Sequence, residues 1–488
     1  MIFNSFIFFI FFPVVTAVYF MMPHRFRWLW LLLSSCVFYM AFIPVYILIL
    51  FTTIIVDYIA GILIDRSSGA RRKAYLIISI ISNIGFLAFF KYYGFASGNL
   101  NVLMQALHWN YSMPILKIIL PIGLSFHTFQ ALSYTIEVYR GNQKAERHFG
   151  IYALYVMFYP QLVAGPIERP QNLLHQFREK HEFSWPRVSS GLSLMLWGFF
   201  KKIVIADNSA TIVNRVFDYP TQFYGWPLII AVILFAFQIY GDFSGYTDIA
   251  IGSAKVMGFK LMNNFDRPYF SKSVGEFWRR WNISLSSWFR DYVYIPLGGK
   301  LVAKWRRSLN IMIVFLLSGL WHGAAWNYVI WGGLLGCYIV ISIWTKALRE
   351  KIINFIRFDQ SLRLRAFLQM IITFFLISIS WILFRAKSIA DAVYIFRHFF
   401  VGLGDYFLRA GSFIRLSGVL GVSTFSLAHI FIAIIFMEYV HFRIKNGTLG
   451  EALAARAPWV RWTFYNALML WIIFFGYFGE RPFIYFQF

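Results

Sequence analysis

The sequence comprises 488 residues, of which 59% are apolar and only 14% carry a charged side chain. Soluble globular proteins are about 45 to 50% apolar and roughly 25% charged, so this composition excludes a soluble, a disordered or a fibrous protein. The 56 Phe, 28 Tyr and 18 Trp need lipid or a large core to cover them. The net charge of +24 resides in short Lys and Arg clusters between long apolar runs, which is typical of a polytopic membrane protein rather than a nucleic-acid-binding domain.

Twelve apolar stretches are candidate membrane spans, because a span needs roughly 20 apolar residues and lipid offers no partner to an unpaired backbone group. They are residues 1–22, 28–43, 44–64, 74–96, 114–136, 188–206, 225–250, 308–322, 324–345, 366–384, 421–441 and 463–479. Residues 1–22 lack a basic segment and a small-x-small cleavage site, so we expect a retained span rather than a signal peptide. Residues 150–167 contain Pro160, which favours a re-entrant or tilted helix.

The predicted fold class is therefore all-α and polytopic, with about 11–13 helices around a central funnel or tunnel, including re-entrant or interfacial segments. No repeat or linker divides the chain, so we predict one membrane domain over residues 1–488. Residues 255–307 hold eleven Lys and Arg against three acidic residues, and the positive-inside rule places them toward the cytoplasm. Within them, residues 277–299 interleave Trp, Phe and Tyr with Arg, as interfacial segments do.

The strongest candidate for chemistry is His322, which lies 14 residues after Ser308, and a helix that starts near Ser308 would carry it about 21 Å into the membrane. An ionisable side chain at that depth indicates a functional site by default. Gly319 and Gly323 flank it, and they either let another molecule approach the imidazole or permit close helix packing, like Gly332 and Gly336 on the next helix. The residues alone support both interpretations.

Other polar side chains in the apolar stretches are weaker candidates. His127 has polar neighbours, and we expect it to line the site or to form a hydrogen bond, whereas His429 has none and reads as a core residue. Asp242 and Asp248 lie six residues apart in one apolar helix and need partners there. A structural polar pin between helices and a proton relay in a transporter both fit this pair.

Several kinds of chemistry have no sequence signature in this chain. Cys36 and Cys337 lie in apolar stretches and indicate neither a disulfide nor a zinc site. No P-loop, G-x-S-x-G, HExxH or dinucleotide fingerprint is present. We therefore expect no metal and no permanently bound cofactor, and a reaction that depends on a single histidine.

Five motifs then stand out in order along residues 114–345. They are LPIGLSFHTFQALSY (120–134), YPQLVAGPIERP (159–170), YGDFSGYTDIAIG (240–252), FWRRWNISLSSWFRDYVYIPLGG (277–299) and SGLWHGAAWNYVIWG (318–332). Together they resemble the membrane-bound O-acyltransferase family, and within it the bacterial branch of alginate O-acetylation proteins. The resemblance implies that His322 is the catalytic histidine. We predict that Trp321, His127 and Asp242 line or support the site, although relatives often have an aromatic residue at the position of His127. It places a second polar position at Asn282, to which we assign positioning, because an amide cannot serve as a base.

The resemblance also implies a substrate and partners. Acetyl-coenzyme A would enter from the cytoplasm as acyl donor, with its phosphates bound by Arg279, Arg280 and Arg290, whose planar forks of donors suit phosphate. The acetyl group would cross a bacterial inner membrane for O-acetylation of an exported polysaccharide, with alginate as the expected polymer. A periplasmic polysaccharide acetyltransferase would be the protein partner, and membrane lipids would surround the chain. An acyltransferase acting on another envelope polymer or a lipid, a proton-coupled transporter or flippase, and a structural membrane scaffold stay open as alternatives.

Overall fold

The computed structural model describes residues 1–488 except 110, 115, 117–119, 164, 356–361, 408–411, 445–446, 448, 480 and 487–488. The described residues form helices joined by turns and loops, with no strand among them, which confirms the predicted all-α class. The chain divides into two compact units: unit 1 contains residues 1–195 and 246–262, and unit 2 contains residues 196–245 and 263–488. The single domain and the central funnel stay predictions.

The first part of the chain is a series of helices of very different lengths. They are α1 (Phe6–Met21), α2 (His24–Met40), α3 (Tyr46–Arg66), α4 (Gly69–Leu87), α5 (Tyr93–Ala106), α6 (Leu124–Arg140), α7 (Phe149–Met157), α8 (Tyr159–Leu162), α9 (Pro170–Leu173), α10 (Trp185–Phe199), α11 (Asp207–Asp218) and α12 (Trp226–Met257). Two π-helical turns, Ala88–Tyr92 and Phe200–Ala206, continue α4 into α5 and α10 into α11.

The second part contains the residues around the predicted catalytic histidine. Its helices are α13 (Val274–Arg280), α14 (Ile283–Phe289), α15 (Lys304–His322), α16 (Trp326–Trp344), α17 (Lys346–Phe355), α18 (Leu362–Arg385), α19 (Ile389–His398), α20 (Gly404–Phe407), α21 (Ser412–Val419), α22 (Thr424–Arg443), α23 (Leu449–Ala454) and α24 (Pro458–Phe475). A π-helical turn, Arg290–Tyr294, follows α14, and short 3₁₀ turns cover His175–Arg178, Pro220–Gln222, Pro268–Phe270 and Ile484–Phe486.

Seven helical stretches among the described residues are long and apolar enough to cross a membrane, and they make this a multi-pass membrane protein. They are Tyr46–Arg66, Gly69–Ala106, Trp185–Asp218, Trp226–Met257, Trp326–Trp344, Leu362–Arg385 and Thr424–Arg443. The predicted spans 1–22, 28–43, 308–322 and 463–479 fall on α1, α2, α15 and α24, which are shorter or less apolar. The span predicted at 114–136 falls on α6, which begins only at Leu124, and part of it lies outside the described residues.

The segment predicted to be re-entrant or tilted, residues 150–167, is broken into two short buried helices. Phe158 leaves the helical conformation (φ −52°, ψ 110°) between α7 and α8. Pro160 lies in the first turn of α8, where its missing N–H has no helical acceptor to lose. Proline thus divides the segment, and residue 164 lies outside the described part.

Candidate active site

The site is built around His322, the last residue of α15. Gly323 follows with an extended backbone (φ −161°, ψ 149°) and ends the helix. At 1.5 Å per residue, α15 rises about 27 Å from Lys304 to His322. The imidazole therefore lies far from the basic end of its helix, as the spacing predicts, and it is only 3% exposed.

Aromatic rings of the described residues pack around the imidazole of His322. The ring centroids of Trp321, Trp331 and Phe384 lie 4.9, 5.1 and 5.5 Å from it, at interplanar angles of 77°, 87° and 76°. The ring of Tyr485 lies 5.5 Å away at 42°. Edge-to-face contacts of this kind fix the orientation of a ring. Burial raises the pKa of the Tyr485 hydroxyl, so this hydroxyl stays protonated at neutral pH.

The glycines next to His322 serve helix packing. A Cβ on Gly319 would lie 2.3 Å from the carbonyl oxygen of Tyr328 and 3.1 Å from the Cα of Gly332. A Cβ on Gly323 would lie 2.1 Å from the ring of Tyr328. Of the two roles that the sequence allows, the structure therefore shows the close approach of α15 and α16, and α16 already fills the space beside both glycines.

Indole rings connect His322 to the turn between α13 and α14. Trp331 stacks on Trp381 with centroids 5.6 Å apart and planes at 22°. Trp381 lies 5.3 Å from Trp281, which directly precedes the turn, and Trp278 on α13 lies 5.8 Å from Trp331. Because protein interiors are close-packed, a shift of one ring displaces its neighbours. The turn and the imidazole therefore belong to one packed cluster.

Asn282 occupies this turn in a left-handed conformation (φ 43°, ψ 57°), which asparagine tolerates better than most residues. Asn264 holds the turn, because its carbonyl oxygen accepts the Ile283 N–H (2.9 Å) and its Oδ1 accepts the Ser284 N–H (3.0 Å). The Asn282 side chain is buried, and neither its Oδ1 nor its Nδ2 forms a hydrogen bond with a described residue. A buried polar group left unpaired costs about 1–3 kcal/mol, and a ligand would relieve that cost.

A cavity of about 430 Å³ lies among α13, α14, α15 and α16. Arg279 and Arg290 line it together with apolar and hydroxyl side chains. Ser318 also lines it, and Ser318 lies four residues before His322, on the same face of α15. Arg280 is not among the lining residues and instead pairs with Glu276 at 2.7 Å. The structure thus brings two of the three predicted donor-binding arginines to one cavity.

Asp242 lies on α12 within unit 2 and is bound on both sides. Its Oδ1 lies 2.6 Å from Nζ of Lys202, which also contacts Oδ1 of Asp207 at 2.9 Å. Its Oδ2 accepts the backbone N–H of Ile484 at 2.6 Å. All three charged side chains are buried. A carboxylate held by an ion pair and a backbone N–H fits a structural role between helices better than a role in proton relay. Asp248 lies on the part of α12 that belongs to unit 1.

Two further histidines lie outside this cluster. His127 is buried on α6 in unit 1, and neither of its ring nitrogens forms a hydrogen bond with a described residue. Its lining role stays a prediction. His429, predicted to be a core residue, accepts the indole N–H of Trp471 at 2.7 Å and lies on α22.

Glu168, in the motif at 159–170, is a buried carboxylate that sequence reasoning did not single out. Its Oε1 accepts the Met262 N–H and its Oε2 accepts the Nδ2–H of Asn172, both at 2.5 Å. Burial raises the pKa of Glu168 to about 7, although both hydrogen bonds oppose the shift. Glu168 therefore fixes the loop after α12 within unit 1.

Sequence reasoning also missed Lys202 and Tyr485. Lys202 had a usable signal, because a lysine inside the predicted span 188–206 is costly and needs a partner. Tyr485 had none, because the aromatic run around it has neither periodicity nor a spacing that points to His322, 163 residues earlier.

The fold and the site define a multi-pass, all-α membrane protein with a buried histidine near a cavity lined by arginines. The family model of the membrane-bound O-acyltransferases matches residues 146–386. The chain is 36% identical over 440 residues to the probable alginate O-acetylase of Pseudomonas aeruginosa, covering 89% of this chain and 81% of that protein. It is 34% identical over 429 residues to the peptidoglycan O-acetyltransferase of Helicobacter pylori (80% and 78% covered).

A more distant relative is the teichoic acid D-alanyltransferase of Bacillus subtilis, 27% identical over 285 residues, with 54% of this chain and 69% of that protein covered. The chain belongs to the membrane-bound O-acyltransferase family, which confirms the resemblance of its five motifs. It is an O-acyltransferase. His322 and Asn282 both fall within the matched residues, whereas His127 and Tyr485 fall outside them.

Proposed function

We propose that the protein takes an acetyl group from acetyl-coenzyme A on the cytoplasmic side of a bacterial inner membrane and passes it across for O-acetylation of an exported polysaccharide. The observation that carries the proposal is the cavity lined by Arg279, Arg290 and Ser318, with Ser318 one helical turn from His322. Arg279 and Arg290 offer cationic groups to an anionic thioester donor, with Arg290 also paired to Asp291 at 2.7 Å. Ser318 brings the cavity to within one helical turn of the buried imidazole.

In the proposed complex, Arg279 and Arg290 bind the phosphates of the donor. Guanidinium groups form strong, charge-assisted hydrogen bonds with phosphate oxygens. Trp278 and Phe315 supply apolar walls along which the thioester arm can lie. Arg279 and Arg290 belong to the strongly basic stretch 255–307, whose net positive charge attracts an anionic donor.

His322 then acts as general base. Its neutral imidazole accepts the proton of an acceptor hydroxyl while the oxygen attacks the thioester carbonyl carbon. The C–O bond forms, the C–S bond breaks, and the coenzyme A thiolate leaves and takes up the proton from the imidazolium. The products are an O-acetyl ester and coenzyme A thiol. Asn282, with a buried side-chain amide that has no partner among the described residues, positions the substrate.

Alginate is the first acceptor to test, because relatives in Pseudomonas aeruginosa and Azotobacter vinelandii, 36% and 35% identical to this chain, carry the name probable alginate O-acetylase. A periplasmic acetyltransferase completes delivery to the sugar in this proposal. The Helicobacter pylori relative, a peptidoglycan O-acetyltransferase, makes another cell-envelope polymer the second candidate acceptor.

The test incubates purified protein in lipid with acetyl-labelled acetyl-coenzyme A, with and without an oligosaccharide acceptor, and follows release of coenzyme A. We expect His322→Ala to lower turnover at least about 100-fold, as loss of a general base does. His429→Ala, which removes a half-buried imidazole elsewhere in unit 2, is the control and should keep turnover. Wild-type turnover in His322→Ala contradicts the catalytic role. Transport of a substrate with no thioester loss contradicts the proposed function.

A further inference from the structure

The 481–486 segment, which contains Tyr485, is held in unit 2 by buried charges that the proposed chemistry does not use. Lys202 Nζ donates to the carbonyl oxygen of Arg481 at 3.5 Å, and Asp242 accepts the Ile484 N–H at 2.6 Å. Lys202 and Asp242 are themselves paired at 2.6 Å. One ion pair thus binds the backbone of the 481–486 segment at two points three residues apart.

Groups around Lys202 bind several described residues between 475 and 484. Lys202 lies in the π-helical turn Phe200–Ala206, a geometry that is frequent at functional sites and that leaves carbonyl oxygens available. The carbonyl oxygen of Ile203 accepts the Tyr477 N–H at 3.1 Å. Asn208 Nδ2 donates to the carbonyl oxygen of Phe475 at 2.9 Å. Hydrogen bonds therefore hold the end of α24 and the residues after it against the π-helical turn and the start of α11.

The buried polar groups around Lys202 find part of their partners in the 481–486 segment. Lys202 contacts two buried carboxylates, Asp207 at 2.9 Å and Asp242 at 2.6 Å. The backbone of the segment supplies the Arg481 carbonyl oxygen, which accepts from Lys202 Nζ, and the Ile484 N–H, which donates to Asp242. Buried charges are costly unless they are paired and hydrogen-bonded. The cluster and the segment therefore stabilise each other.

The anchored residue Ile484 is one peptide bond away from a residue that contacts His322. Tyr485 directly follows Ile484. The ring of Tyr485 lies 5.5 Å from the imidazole of His322 and 4.9 Å from the ring of Phe243 on α12. We propose that Lys202 and Asp242 are positioning residues of the acyl-transfer reaction, whose ion pair holds the 481–486 segment so that Tyr485 packs against His322. This inference rests on the proposed function for its catalytic part and on the hydrogen bonds for its anchoring part.

Two measurements on the full-length protein in lipid test it. Hydrogen–deuterium exchange of the peptide covering the 481–486 segment reports anchoring directly. In Asp242→Ala and Lys202→Met we expect exchange at least about tenfold faster, since local opening governs exchange. Acyl transfer by the same variants should show kcat lowered at least about tenfold with the KM for acetyl-coenzyme A within about twofold of wild type.

The controls separate positioning from general destabilisation. Lys201→Met removes the neighbouring buried lysine, which donates to Ser244, and should leave both the exchange and kcat at wild-type levels. Asp242→Asn keeps an oxygen acceptor for the Ile484 N–H, so it should recover part of the protection and part of kcat relative to Asp242→Ala.

Unchanged exchange in Asp242→Ala and Lys202→Met overturns the anchoring. Faster exchange with unchanged kcat overturns the positioning role. His322→Ala should abolish acyl transfer while leaving exchange of the 481–486 segment as in wild type, so the two proposals fail in different measurements. If the wild type does not consume acetyl-coenzyme A, the proposed function and the positioning role fall together, and exchange still decides the anchoring.

Discussion

The guanidinium of Arg280 lies 2.7 Å from the carboxylate of Glu276, one turn earlier on the same helix. Its neighbour Arg279 lines the cavity beside α15 instead. Successive residues of a helix point in directions about 100° apart, so two adjacent arginines cannot share one role unless the helix end is distorted. The compensated charge of Arg280 leaves Arg279 as the stronger anion-binding group of the pair.

Arg279→Ala should therefore weaken use of acetyl-coenzyme A far more than Arg280→Ala. A hydrogen bond between charged groups contributes about 1.5–3 kcal/mol, which corresponds to a KM about 10- to 100-fold higher. Arg280→Ala serves as the matched control, and we expect a change in KM of less than about threefold, because its pair with Glu276 is partly exposed. Steady-state kinetics over a range of donor concentrations measure both. Equal increases in KM for the two variants would contradict the assignment.

Asn282→Gly should separate function from stability. Glycine adopts the left-handed conformation of residue 282 without strain, and the amide makes no hydrogen bond with described residues that the variant would lose. We expect a free energy of unfolding no more than about 1 kcal/mol below wild type, because removal of the unpaired amide offsets the packing that the side chain loses. We expect kcat to fall about tenfold, because the substrate loses a positioning group. Thermal unfolding and turnover are measured on the same preparation. A variant that loses stability but keeps kcat per folded molecule would show that Asn282 is structural.

Hydropathy was sufficient to find the long helices, because lipid imposes the same demand on each of them. The predicted spans 44–64 and 225–250 correspond to α3 and α12. The motif around His322 was also sufficient to single out the histidine. Neither hydropathy nor a local motif shows which side chains distant in the sequence come into contact in the folded protein.

Three parts of the site depend on such encounters. The ion pair of Lys202 with Asp242 joins residues 40 positions apart, and no local spacing reports it. The different roles of Arg279 and Arg280 depend on how α13 is rotated against its neighbours. For Gly319, the sequence allowed an open approach or close packing, and only the position of α16 decides between them.

Glu168 should make stability depend on pH in a defined window. Its pKa is raised by burial from an ordinary 4.5 to about 7, so between these values the folded protein holds a proton that the unfolded chain has released. The free energy of unfolding should therefore fall as the pH rises from about 4.5 to about 7, by up to about 1.4 kcal/mol per pH unit from this group, and then level off.

Glu168→Gln is the variant that tests this dependence. The amide keeps an oxygen acceptor for the Met262 N–H and has no proton to release. Across pH 4.5–7 we expect the wild type to lose stability as the pH rises, while the variant loses none from this position. The variant should therefore gain in stability relative to wild type toward pH 7. Denaturant unfolding in detergent at several pH values measures it. A difference that is constant across this window would show that Glu168 has an ordinary pKa.

Gly319→Ala and Gly333→Ala compare two helical glycines in opposite surroundings. A Cβ on Gly319 would lie 2.3 Å from the Tyr328 carbonyl oxygen, which is backbone and cannot turn away. A Cβ on Gly333 would meet only Leu316 Cδ2 at 3.6 Å, an ordinary contact. Alanine gains about 1 kcal/mol over glycine in a helix interior, whereas overpacking typically costs about 1–3 kcal/mol.

Gly333→Ala should consequently keep or raise the thermal stability and keep turnover. Gly319→Ala should lower the stability by about 1–3 kcal/mol and lower kcat as well, because separating α15 from α16 moves His322 against Trp331. Thermal unfolding and turnover in lipid measure both variants side by side. If Gly319→Ala has the stability and turnover of Gly333→Ala, then α15 and α16 are not in the close contact that orients the imidazole.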